Sequence, residues 1–230
     1  MRVESFCAKA LALATSIIFL VLTYQAICFT HVDSEGWLEP LVKMSDNIVV
    51  NIVVSFAIIM IACFLADRLA RLKGISVYVA LVVLCVFSVV LGMVYVSGHS
   101  FLPTADQAYI LEAAILYEMG DFSFLEPVYG YVGICPHQKG LVVLYIILSK
   151  IFGCINYRHF QYLNIGMLPL LIISGFFIVK ILGEKKKSYL WMYLFGIATC
   201  IPMYLYVPYA YGETISTALA LFSIGWYFQP

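Results

Sequence analysis

Read by its apolar and polar positions, the chain is a series of long hydrophobic runs separated by short charged turns, with one long exception. Apolar runs of about 17 to 25 residues are long enough to cross a bilayer as helices. They predict spans over 10–29, 48–66, 75–96, 160–182 and 189–207, with a last and barely sufficient run over 214–228. That run ends the chain at "WYFQP", as the N-terminal part of a longer bundle would. The first run follows Arg2 and Lys9 as a signal peptide would, but its length and lack of a small-residue cleavage site favour a retained helix. The expected fold class is all-α, a polytopic transmembrane helix bundle.

The exception runs from Ser97 to about Arg158. It contains a short apolar run, Gly140 to Gly153, with Lys150 near its end. About 14 residues suit a re-entrant or interfacial helix better than a span. Charge supports that choice. If the short run does not span, the N-terminus, the turn "DRLARLKG" (67–74) and the turn "GEKKKS" (183–188) share one side, and the positive-inside rule makes it cytoplasmic. The loop "HVDSEGWLEPLVKMSD" (31–46), the 97–158 segment and the loop "YVPYAYGE" ending at Glu213 then share the outer side. A connection as long as 97–158 tends to be functional, and this one is too apolar for disorder, so juxtamembrane helices are expected in it.

Composition agrees and removes some function classes. The 230 residues are 63% hydrophobic and 11% charged, with mean hydropathy +0.98, far more apolar than a soluble domain. Net charge is zero, so the basic face that drives nucleic-acid binding is missing. Seven cysteines lie scattered without CxxC spacing and read as small core hydrophobes. Cys135 and Cys154 could pair only in an oxidising compartment.

"FLPTADQAYILEAAILYEMGDF" (101–122) holds four carboxylates. Thr104 as N-cap and Gln107 three residues later read as a capping box, with Asp106 in the first turn and Gly120 ending the helix. A first-turn carboxylate is stabilised by the helix dipole whatever its function. Glu112 and Glu118 are each rotated about 240° from the preceding acid, so the three cannot converge on one atom. Glu112, Glu118 and Asp121 therefore read as solvated or interfacial acids, and Asp106 as the candidate. Farther on, His137, Gln138 and Lys139 arrive together and could receive phosphate and hydroxyl groups. Their spacing matches no standard metal signature. Glu213 sits beside a tyrosine cluster at the end of two hydrophobic runs, where an acid so near hydrocarbon is a functional candidate.

The order of these features, "ADQ" (105–107), "PHQKGL" (136–141), a short helix ending "IFG" (151–153) and Arg158 before the next span, resembles membrane glycosyltransferases of the GT-C fold. Bacterial protein O-mannosyltransferases and lipid A aminoarabinose transferases are the nearest in kind. "KILGEKKKSYLWMYLFG" and "VPYAYGETIS" are similar to that superfamily's basic turn and second acidic loop. The resemblance implies a GT-C-like bundle in the cell membrane that moves a sugar from a polyprenyl-phosphate donor to an acceptor on the outer face. It implies Asp106 and Glu213 as the catalytic acids and Arg158 on the lipid phosphate. With it go His137, Lys139 and Gln107 as substrate-binding residues. Glu213 would position the acceptor or hold a divalent cation, the one cofactor in view. The partners implied are the lipid-linked donor and membrane lipid, with no nucleic acid. Two extra N-terminal spans, "ADQ" in place of paired acids and the early end of the chain depart from the pattern. A carrier or flippase of lipid-linked saccharides and a truncated, non-catalytic membrane protein are the competing classes. Transporters place polar groups at the midplane and break helices there, whereas these runs read as clean.

Overall fold

The computed structural model describes residues 17, 29–32, 42–45, 47–72, 76–98, 102–184 and 186–228. Contacts divide the chain into two compact units, Met1–Ala62 and Cys63–Pro230. In the first unit, β1 (Phe29–Val32) pairs antiparallel with β2 (Val42–Ser45), Phe29 opposite Ser45 and Val32 opposite Val42. This short hairpin stands beside an otherwise helical set of described elements, in keeping with the all-α expectation. The two strands, FTHV and VKMS, carry β-branched residues, which suit extended backbone. Apart from Ile17 and Phe29, the expected 10–29 span lies outside the described residues.

The other described elements are helical. Three helices are long and apolar enough to cross a membrane: α1 (Ile48–Arg71), α2 (Val77–Gly98) and α6 (Tyr157–Leu182), numbering the helices in chain order. At 1.5 Å per residue the shortest of them is about 33 Å long, enough for the hydrocarbon layer. On α1, Val49, Phe56 and Phe64 are all more than half exposed. A continuous apolar surface of this kind requires lipid or another apolar partner.

Between α2 and α6 lie α3 (Asp106–Glu118), the single turn α4 (Tyr131–Ile134), α5 (Lys139–Phe152) and two 3₁₀ turns, Ser123–Leu125 and Pro136–Gln138. The short apolar run is thus a 14-residue helix, stopped by Gly153 in the left-handed conformation (φ 79°). Ile110, Ala113 and Ala114 of α3 share one core with Val142, Tyr145 and Leu148 of α5 and Phe160 of α6.

Helix α6 returns antiparallel to α2. Val96 packs in one cluster with Ile165 and Leu168, and Val77, Leu81 and Cys85 pack in another with Ile172 and Phe176, so positions descend in one helix as they rise in the other. The turn after α1 and the turn after α6 therefore lie at one end, where Lys180 sits 5.3 Å from the Tyr78 ring centroid. Arg68, Arg71, Lys180 and Lys186 gather at this basic end, and α3 to α5 occupy the opposite one.

The expected 189–207 span is corrected to two helices, α7 (Lys187–Ala198) and α8 (Ile201–Leu205). Pro202 has no N–H to donate back to Ala198, so it fits only the first turn of a new helix. Thr199 assists the break by bonding its hydroxyl to the Phe195 carbonyl at 2.8 Å. The last helix, α9 (Glu213–Tyr227), runs parallel to α6. Ile215 joins the cluster around Phe160, and Gly225 lies against Ser174 and Ile178. Its 15 residues reach about 22 Å, short of a full crossing.

Candidate functional site

At the end opposite the basic turns, the segment between α8 and α9 folds over the start of α6, held by three polar side chains of that helix. Tyr157, Gln161 and Asn164 follow at i, i+4 and i+7, one face of a helix. Asn164 Nδ2 donates to the carbonyls of Val207 (2.9 Å) and Tyr209 (2.8 Å), and Gln161 Nε2 donates to Pro208 (3.1 Å). The Tyr157 hydroxyl lies within reach of the Pro208 carbonyl (2.8 Å) and of Gln107 Oε1, and donates to one at a time. The Ala210 N–H donates to the same Gln107 oxygen at 2.8 Å. Gln107, Gln161 and Asn164 are at most 2% exposed, so these bonds form out of reach of water. Gly212 completes the closure. Its φ is +87°, and a Cβ there would lie 2.8 Å from Leu141 of α5.

This network corrects the reading of Gln107. No capping box forms: the N-cap of α3 is Ala105, at φ 48°, with no side-chain cap. The Gln107 side chain turns inward because it is the acceptor that satisfies the loop. As the buried tie between two loops it presents no surface to a ligand, so the substrate-binding expectation does not suit it.

Asp106, the next residue back, is exposed. It faces Tyr131 of α4. Burial first, and then the nearby charge of Asp106, push the Tyr131 phenol well above its usual range, so it keeps its proton at neutral pH. The hydroxyl is buried and makes no hydrogen bond of good geometry, so the contact is chiefly electrostatic. Cys135 and Tyr211 stand nearby and raise the phenol further.

The Tyr131 ring also lines a cleft of about 530 Å³, with Tyr109, Glu112, Phe124, Glu126 and Tyr129 around it. Tyr109 stacks on Tyr131 with centroids 5.1 Å apart and planes 21° from parallel. Beyond Phe124, which lines both, lies an apolar groove of about 190 Å³ with Lys139 at its edge.

The remaining candidates are placed as follows. Glu213 is exposed in the first turn of α9, three residues after the Ala210 amide that binds Gln107. Arg158 is exposed in the first turn of α6, beside Tyr157, and its N–H is capped by Asn156 Oδ1 at 2.9 Å. His137 is exposed in the second 3₁₀ turn, and Lys139 starts α5. The structure thus brings the Asp106 and Glu213 segments to one end, and none of these five side chains bonds to another among the described residues. There the one ion pair is Lys186 with Glu184, 3.8 Å apart at the basic end. Among the described residues no three His, Cys, Asp or Glu side chains come together as a metal site.

The lesser acids, read as solvated or interfacial, are all exposed. Glu118 accepts a hydrogen bond from Ser149 of α5. Glu112 lines the cleft. Asp121 accepts from the Ser123 N–H (2.9 Å), and that bond holds its carboxyl below the ordinary carboxylate range. Cys135 and Cys154 are both free thiols. Sequence reading missed Tyr131, Glu126 and the stripe of α6. The stripe was visible as Tyr157, Gln161 and Asn164 at helical spacing in an apolar run. No protein-family model matches the sequence, no curated protein matches it, and no solved structure matches the fold.

Proposed function

We propose that the chain is a GT-C-like membrane glycosyltransferase, moving a sugar from a polyprenyl-phosphate-linked donor to an acceptor at the outer face. The observation that carries this reading is the double position of Tyr131: its ring walls the aromatic and carboxylate-lined cleft while its hydroxyl faces Asp106. A carboxylate beside a cleft of this size, at the end of an apolar bundle, is what an interfacial transferase needs. The acceptor oxygen attacks the anomeric carbon as its proton passes to Asp106. The bond from that carbon to the phosphate oxygen breaks, and its electron pair leaves with the lipid phosphate. Tyr131 keeps its own proton and so leaves Asp106 as the group that takes the acceptor's proton. Arg158 and Lys139, both exposed and free of ion pairs among the described residues, offset the leaving phosphate's charge. Glu213 orients the acceptor from the second loop.

Asp106→Asn keeps the shape and removes the base. Transfer of radiolabelled sugar from polyprenyl-phosphate donor in reconstituted membranes should fall by about 10²- to 10⁴-fold, with membrane insertion unchanged. Full activity in this variant overturns the assignment.

A carrier or flippase for lipid-linked saccharides is favoured by one observation, the break between α7 and α8, since transporters place broken helices at their sites. Movement of a fluorescent lipid-linked saccharide across proteoliposomes, undiminished in Asp106→Asn, selects that reading.

A further inference from the structure

The cleft beside Asp106 has a charge pattern that a purely neutral ligand does not explain. Its polar wall holds two carboxylates, Glu112 from α3 and Glu126 from the turn before α4, and among the described residues no Lys or Arg lines it. Four aromatic rings, Tyr109, Phe124, Tyr129 and Tyr131, supply the rest of the wall that matters. Carboxylates and the faces of aromatic rings both attract positive charge, and together they recognise ammonium groups. An anionic ligand would be repelled by the same wall.

The wall is also built rather than incidental. The Gly130 N–H donates to the Glu126 carbonyl at 2.9 Å. A Cβ on Gly133 would fall 2.0 Å from that carbonyl oxygen, and one on Gly130 would fall 2.5 Å from the Phe124 carbonyl. Two glycines thus let the backbone after Phe124 press against α4, which fixes the Glu126 backbone at the cleft. Helix α3 brings Glu112 into the same lining, one turn beyond Tyr109.

We infer that this cleft binds an organic ammonium group, with the Tyr109, Tyr129 and Tyr131 rings around the cation and Glu112 and Glu126 as its countercharge. The site adjoins Asp106 through Tyr131, involves no step of the transfer itself, and holds whether the ammonium belongs to a free amino-saccharide or to a phosphatidylethanolamine headgroup.

The full chain in phosphatidylglycerol nanodiscs, titrated with glucosamine and with glucose and followed by saturation-transfer NMR, tests this. Glucosamine should bind about tenfold tighter than glucose, with the preference shrinking at high salt. The double variant Glu112→Gln, Glu126→Gln should lose that preference. Tyr129→Ala, at a side chain 87% exposed and so harmless to folding, should weaken glucosamine severalfold. Adding phosphatidylethanolamine to the nanodisc assigns the source: competition marks a lipid headgroup, and its absence marks a free amine. Equal binding of the two sugars, no binding of either, or a preference retained in the double variant overturns the inference. Each of these leaves the Asp106→Asn transfer assay, and so the transferase reading, intact.

Discussion

Gln107 shows how one residue can have two readings that differ by where a side chain turns. Three residues after Thr104, it satisfied the spacing of a capping box, and local sequence carries no sign of a partner a hundred positions away. The tertiary demand wins because the Ala210 N–H and the Tyr157 hydroxyl are buried and need an acceptor. Gln107→Leu keeps the bulk and removes that acceptor. It should cost about 2 kcal/mol or more, read as a lower unfolding temperature in detergent, and should free the 207–211 segment to proteolysis. An unfolding temperature and protease resistance equal to those of the unaltered chain would show that the tie carries no energy. The position of Asp106, by contrast, was legible: it stands in the first turn of its helix, as read. Its neighbour Tyr131 was not, because no local pattern announces which tyrosine in a chain rich in them will face a carboxylate.

At the scale of elements, the pattern of apolar runs placed α1, α2, α5 and α6 to within about five residues, since each owes its helix to a continuous apolar run. It failed where a single residue overrides the run. Pro202 splits the expected fifth span, and that effect of a missing N–H could have been read directly from the sequence. The turn region 123–134 was marked by glycines, yet their purpose, close backbone packing, shows only in three dimensions. Gly133→Ala should therefore destabilise the chain by about 1 to 3 kcal/mol and displace Glu126. Gly140→Ala, in helix α5 with nothing within 4 Å of the added Cβ, should be neutral or slightly stabilising. Thermal unfolding of the two variants side by side checks this, and similar effects from both would remove the packing explanation.

For the whole molecule, the antiparallel pairing of α2 with α6 separates a basic end from an end that gathers the candidate site. Cationic turns and polar tyrosine-rich loops alternate along the chain, which suits such a separation. If the basic end is cytoplasmic, then in a cysteine-free background a membrane-impermeant thiol reagent applied to intact cells should modify Tyr129→Cys and leave Lys186→Cys untouched. The opposite pattern would invert the orientation. The central claim is that the gathered end handles a lipid-linked sugar. Native mass spectrometry of the chain purified gently from its own membranes reads that occupant directly: a polyprenyl-phosphate-linked sugar should co-purify with both the unaltered chain and Asp106→Asn, and recovery of ordinary phospholipids alone from both would contradict the claim.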